Sequence, residues 1–133
     1  MFIDRLFNQG NAPMLAQAVR FTQARQELLQ NNVANVSTPG FKQQDMSMAQ
    51  FQSMLRSQLA DREAASSAAV GFNEVMPEVN ELTGQLVYHD GNNRSMEQLM
   101  ADGAKNAMMH NFFVELLRKQ FGSIQDALRE RVT

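Results

Sequence analysis

The sequence predicts a mainly α chain, with long amphipathic helices at both ends and a small irregular middle segment. Three observations carry that expectation. Leu15, Val19, Thr22, Gln26, Leu29, Val33 and Val36 recur in alternating steps of four and three, the spacing of one helix face. Met96, Met100, Gly103, Ala107, His110, Val114, Leu117, Phe121, Ile124 and Leu128 continue the same rhythm without a break. Between the two stripes, Gly71, Pro77, Gly84 and Gly91 interrupt every long period. The terminal helices are expected either to pair as a coiled-coil-like hairpin or to pack between subunits, and the residues leave that choice open. The chain divides into an N-terminal helical segment over 1–44, a small, partly flexible middle over 45–94, and a C-terminal helical segment over 95–133.

The N-terminus is apolar at Phe2, Ile3, Leu6 and Phe7, a short amphipathic pattern. It has no basic n-region, no continuous apolar run and no small-residue cleavage site, so it does not read as a classical signal peptide. Asn8 to Pro13 breaks this stretch. Asn11 suits a helix N-cap, and Pro13 is tolerated in a first turn. A helix is expected over about residues 12–36. Its stripe is weak in the middle, at Thr22 and Gln26, so this helix needs a partner.

That helix must stop at Asn31 to Lys42. Thr38 precedes a proline and is pushed toward extended backbone. Pro39 has a fixed φ and no N–H, so it cannot continue a helix. Pro39-Gly40 fits the central positions of a type II turn, whose second residue needs positive φ. Asn31, Asn32 and Asn35 share one helix face, where their amides can cap the last carbonyls or bond a neighbouring subunit. Physics alone reads this as a helix stop with polar punctuation.

Gln43 to Ser47 is polar and expected to be irregular. Phe51, Met54, Leu55 and Leu59 recur at helical spacing and predict a shorter helix over about 47–64. Ala64 to Ala69 reads as a small-residue linker. Val70–Met76 and Gln85–His89 are candidate strands of a short β-hairpin. Asp90-Gly91-Asn92-Asn93 is a turn, and either Ser95 with Gln98 or Asn93 caps the final helix.

The last helix is expected over 95–130, about 50 Å long at the usual rise. Gly103 and Ala107 sit one turn apart and admit another backbone closely. Glu115 and Lys119 suit an i,i+4 pair, and Arg129 and Arg131 suit the negative end of the helix dipole. Leu99, Phe112, Phe113 and Leu116 flank the stripe. They widen the apolar face beyond what one partner helix covers.

Composition narrows the function classes. The 133 residues hold 12 basic and 14 acidic side chains, without the basic excess that marks nucleic-acid binders. There is no cysteine, which excludes disulfides, thiol nucleophiles and cysteine-based zinc sites. No run is long enough to span a bilayer. His89 and His110 lack H-x-x-x-H or E-x-x-H arrangements, and a hydrogen-bonded seam histidine is the better reading of His110. No nucleophile elbow, phosphate loop or dinucleotide fingerprint occurs. The reading is of a non-enzyme with no catalytic residue, cofactor or metal. Ten methionines and nine phenylalanines without tryptophan make an adaptable apolar set.

Asn32-Val33-Ala34-Asn35 followed by Thr38-Pro39-Gly40-Phe41-Lys42 resembles the N-terminal signature of the bacterial flagellar rod and hook family. That signature reads roughly N-[IV]-A-N-x-x-T-P-G-[YF]-K. Nine residues match across a window of eleven. Asp90-Gly91-Asn92-Asn93 leading into Met96-Glu97, and the long final helix, resemble the proximal rod members of that family. The resemblance covers about residues 14–50 and 86–131. Phe41 stands where tyrosine is commoner, and the middle segment departs from the family.

The resemblance implies a structural subunit of the proximal rod of the flagellar basal body, self-assembling through its terminal helices into a drive shaft that transmits torque. It implies export through the flagellar type III apparatus, without a cleaved signal, to a periplasmic rod. The partners implied are further copies, other rod proteins, the rod–ring adaptor and the export gate, with no nucleic acid and no direct membrane span. The assembly residues expected are Asn32, Asn35, Thr38, Pro39, Gly40 and Phe41 at the turn, with Leu29, Val33, Val114, Leu117, Phe121 and Ile124 on the seams. Two alternatives stand beside it. One is a self-contained cytoplasmic helical bundle acting as an adaptor or ligand binder, and the other is a related rod protein of similar length.

Overall fold

The computed structural model describes residues 10–65, 73–82 and 96–132. In chain order the elements are α1 (Ala12–Ala34), β1 (Gln44–Met46), α2 (Met48–Ala64), β2 (Val79–Glu81) and α3 (Met96–Val132). The fold class is the mainly α one expected, with long helices at both ends. Helices α1 and α3 lie side by side within one chain and antiparallel. Thr22 meets Asn106 and His110, Leu29 and Val33 lie by Leu99 and Met100, and Leu15 lies by Leu116.

Helix α1 starts where Asn11 and Pro13 place it. Asn11 occupies the N-cap position, but its side chain makes no cap bond; its carbonyl accepts the Leu15 N–H at 2.9 Å. The helix ends at Ala34, two residues before the stripe does, because Asn35 leaves helical geometry and begins the turn. Helix α2 has a side-chain cap that its apolar spacing did not announce. Ser47 is extended and its hydroxyl accepts the Gln50 N–H at 3.2 Å. The apolar face of α2 is Phe51, buried, with Met54 and Leu55 half-buried.

The middle segment departs from expectation in three places. Gln44–Met46 is not irregular but strand β1, antiparallel to β2 with Gln44 opposite Glu81 and Met46 opposite Val79. The two strands flank α2 in sequence, so they do not form a hairpin. Within the candidate strand 70–76, the described residues 73–76 form no strand; Val75 is fully buried and donates its N–H to the Gln17 side-chain carbonyl at 3.1 Å. The candidate strand 85–89, the turn at 90–93, the caps Asn93 and Ser95, the linker beyond Ala65 and the N-terminal stretch 1–9 lie outside the described residues.

The apolar core lies off the long stripe. Ala18, Phe21, Met46, Phe51 and Val75 form its buried centre, with Leu28, Met54, Leu55, Met76 and Phe113 packed around it. Phe21 and Phe51 stack with centroids 4.2 Å apart and planes 10° from parallel. Burying one such ring stabilises by roughly 1.5–3 kcal/mol. Phe21 sits about 100° around the helix from Thr22, so α1 has two working faces. One meets β1, α2 and Val75, and the other meets α3.

Helix α3 has 37 residues and spans about 55 Å. Only Leu99 and Asn106 on it are buried. Met96, Met100, Met108, Phe112, Phe121, Leu128 and Val132 are exposed. Glu115 pairs with Arg118 at 3.7 Å rather than in the i,i+4 arrangement expected with Lys119. Exposed pairs of this kind add little. Among the described residues no helix is long and apolar enough to cross a membrane, and no cluster of three acidic or histidine side chains could hold a metal ion.

Candidate assembly surface

The joint after α1 is built from the signature residues themselves. The Thr38 carbonyl accepts the Phe41 N–H at 3.2 Å. Pro39 and Gly40 fill the central positions, and Gly40 has φ +75°, as a type II turn requires. Asn35 ties the helix end to this turn. Its Nδ2 donates to the Asn31 carbonyl at 2.9 Å and to Asn31 Oδ1 at 3.0 Å. The Thr38 N–H donates to the Asn35 carbonyl at 3.0 Å.

Asn32 does something different. It is fully buried and faces the chain that returns after the turn. Its Nδ2 donates to the Gln44 carbonyl at 2.7 Å, and its Oδ1 accepts the Gln44 N–H at 3.0 Å. One side-chain amide thus imitates a neighbouring strand and satisfies the backbone of β1 on the side away from β2. Leaving such a buried group unpaired costs about 1–3 kcal/mol.

A second tie lies beside it. Arg25 donates from Nε to Asp45 Oδ1 at 2.8 Å and from Nη2 to Asp45 Oδ2 at 3.0 Å. Both side chains are largely shielded, 18% and 11% exposed. The hydrogen bond with Asp45 raises the Arg25 pKa above its ordinary value; burial opposes this, and the Asp45 and Asp102 charges add to it. Asp45 Oδ1 also accepts the Met46 N–H at 2.8 Å. Bidentate geometry fixes direction as well as distance, so β1 is held to α1 in one orientation.

The α1–α3 seam is polar at its centre. The Thr22 hydroxyl lies 2.9 Å from His110 Nδ1 and within 3.0 Å of the Ala18 and Val19 carbonyls. Asn106 Nδ2 donates to the Thr22 carbonyl at 2.8 Å and to Gln26 Oε1 at 2.7 Å. The weak middle of one stripe therefore meets the polar position of the other. Towards the C-terminal end of α1, the seam opens into a groove of about 360 Å³ lined by Leu29, Val33, Leu99, Met100, Gly103 and Ala107.

Residues 16–42 match the family described as flagella basal body rod protein. The chain is also 26% identical over 123 residues to the flagellar basal body rod protein FlgB of Bacillus subtilis (strain 168), across 90% of this chain and 93% of that one. Both matches are to flagellar basal body rod proteins, and the chain is similar to that family over these residues. The matched window runs from the first turns of α1 through the type II turn to Lys42. It contains Thr22, Arg25, Gln26, Asn32 and Asn35, the side chains that bind α1 to α3, to β1 and to the turn.

The rod-family signature is divided by the fold. Asn32 and Leu29 are buried inside the chain. Asn35 and Phe41 are half-buried, and Thr38, Pro39 and Gly40 are exposed. On the seam, Val33, Val114, Leu117 and Ile124 are half-buried and Phe121 is exposed. Sequence reasoning passed over Phe21, Arg25, Asp45 and Asn106. Phe21 left a signal, an aromatic one step off the stripe. Asn106 left none, because a polar residue beside a stripe normally faces water.

Proposed function

We propose that this chain is a structural subunit of the flagellar rod and works in its proximal part, packing α1 and α3 against neighbouring subunits to carry torque. The observation that carries this reading is the family match across α1 and its turn, joined to a 37-residue helix that buries only two of its residues within the chain. Apolar surface left open along such a helix is what a subunit offers its neighbours. Head-to-tail contacts that do not close build a helical tube.

Assembly with other components of the flagellar basal body follows from the family. Further copies, other rod proteins, the rod–ring adaptor and the export gate at the rod base are the partners this reading assigns. A periplasmic position, reached through the flagellar type III apparatus without a cleaved signal, belongs to the same proposal. Thr38, Pro39, Gly40 and Phe41 would meet neighbours directly, as would Val33, Val114, Leu117, Phe121 and Ile124. Asn32, Asn35 and Leu29 would hold that surface in shape. The role requires no chemistry, and the non-enzymatic reading follows from the family's structural work.

Deleting the gene and inspecting isolated basal bodies tests the proposal. Non-motile cells lacking rods, rescued by this chain, are expected. Motile cells with complete rods would sink it. Sedimentation across a concentration series is expected to reveal self-association that a self-contained cytoplasmic adaptor would not show.

A further inference from the structure

The polar centre of the α1–α3 seam limits how the two helices can slide, whether or not the chain works in a rod. Both helices present repeating apolar stripes. A repeating stripe permits sliding: moving α3 by one heptad, about 10 Å along the axis, again places stripe against stripe. Val114, Leu117 and Ile124 would serve in either position, since apolar contacts are non-directional.

The polar groups do not permit that shift. His110 Nδ1 reaches Thr22 Oγ1, and one Asn106 amide spans the Thr22 carbonyl and Gln26 Oε1. Asn106 and Thr22 are fully buried. After a one-heptad slip, Asn106 would no longer lie opposite Thr22 and Gln26. The Thr22 hydroxyl could still bond the Ala18 and Val19 carbonyls, but the Asn106 and Gln26 amides would lose their cross-helix partners. The layer is also imperfectly satisfied as it stands, because Asn106 Oδ1 is buried without a partner. An apolar pair would be expected to pack there more stably. Buried polar residues at single seam positions fix register in coiled coils at a cost in stability.

We infer that Thr22, Gln26, Asn106 and His110 form a register lock, which holds α1 and α3 in one axial position and excludes heptad-shifted pairings. The lock sets where the exposed apolar residues of α3 stand relative to the turn at Pro39-Gly40. Any neighbour that touches both then meets a single geometry.

The chain has no native cysteine, so two introduced cysteines report alone. Spin labels at Gln30 and Lys119, both exposed, measure the axial offset by double electron–electron resonance. The native seam is expected to return one narrow distance. The double variant Gln26→Leu/Asn106→Leu is expected to keep or raise its melting temperature. Its distances should broaden or split, with a second population displaced by about 10 Å. The exchange Gln26→Asn/Asn106→Gln should restore a single distance. A folded double variant with one unshifted distance would overturn the proposal, as would a broad distribution in the native chain. If the double variant does not fold, Asn106→Leu alone is scored by the same rule.

Discussion

The two faces of α1 make different contacts. Toward β1, α2 and Val75 the interface is closed, an apolar centre with Phe21 and Val75 fully buried and Phe51 nearly so, flanked by the paired polar ties of Arg25 to Asp45 and Asn32 to Gln44. Toward α3 it is polar at the centre, open as a groove at one end, and bordered by exposed methionines and phenylalanines. The first face resembles a small domain core, in which dispersion and desolvation act together. The second positions a long helix without covering it. A chain that buried both faces equally would be a finished bundle with little left to offer a neighbour. Here stability concentrates on one side of α1, and unfilled apolar surface accumulates along α3.

The largest effect expected is on the closed face. Phe21→Ala removes the ring stacked on Phe51 and should lower unfolding free energy by about 3–5 kcal/mol, read as a shifted denaturant midpoint. A loss no greater than that of an exposed phenylalanine would abolish the distinction between the faces.

Asn32→Ala probes the tie between helix and strand. It removes both bonds to the Gln44 backbone and should cost about 1–3 kcal/mol. Hydrogen exchange at the Gln44 amide should accelerate more than exchange in the middle of α3. Uniform acceleration throughout the chain would mean the amide is not a local tie.

Gly40→Val is smaller again. A Cβ at Gly40 would meet no atom within 4 Å, so only its φ of +75° opposes the change. The expected cost is about 1–2 kcal/mol. Rod assembly should suffer more than the helical content of the isolated chain, measured by circular dichroism. Equal losses would reduce the turn to local structure.

The smallest stability change belongs to the open face. Phe112 and Met108 are 60% and 70% exposed, and Phe112→Ser with Met108→Ser should leave the denaturant midpoint within about 0.5 kcal/mol. Self-association in sedimentation should nevertheless fall. If stability drops and association does not, the open surface serves the monomer and the comparison is reversed.

Much of the architecture was legible in the sequence. The boundaries of α1 and α2 fall within two residues of the expected ones, because Pro13 and Pro39 restrict their own backbones and the Ser47 hydroxyl caps α2 from one turn away. The type II turn was legible for the same reason, since Thr38-Pro39-Gly40 limits φ locally. Strand β1 was not. Gln44 and Asp45 look like loop residues until Asn32 and Arg25, 12 and 20 positions away, supply their partners. The seam was half legible. Thr22, Gln26 and His110 appeared as weak points in two separate stripes, but nothing in either stripe said that they meet.

Local physics thus determined the helices, their stops and the turn at Pro39-Gly40, because periodicity, capping and fixed φ act over a few residues. Tertiary structure alone decided which face of α1 became the core, that its helix partner lies in the same chain, and that Asn32 is an internal tie. Those outcomes depend on burial and on hydrogen bonds between distant residues. A side chain's polarity says only that it needs a partner, and the fold determines which partner it meets.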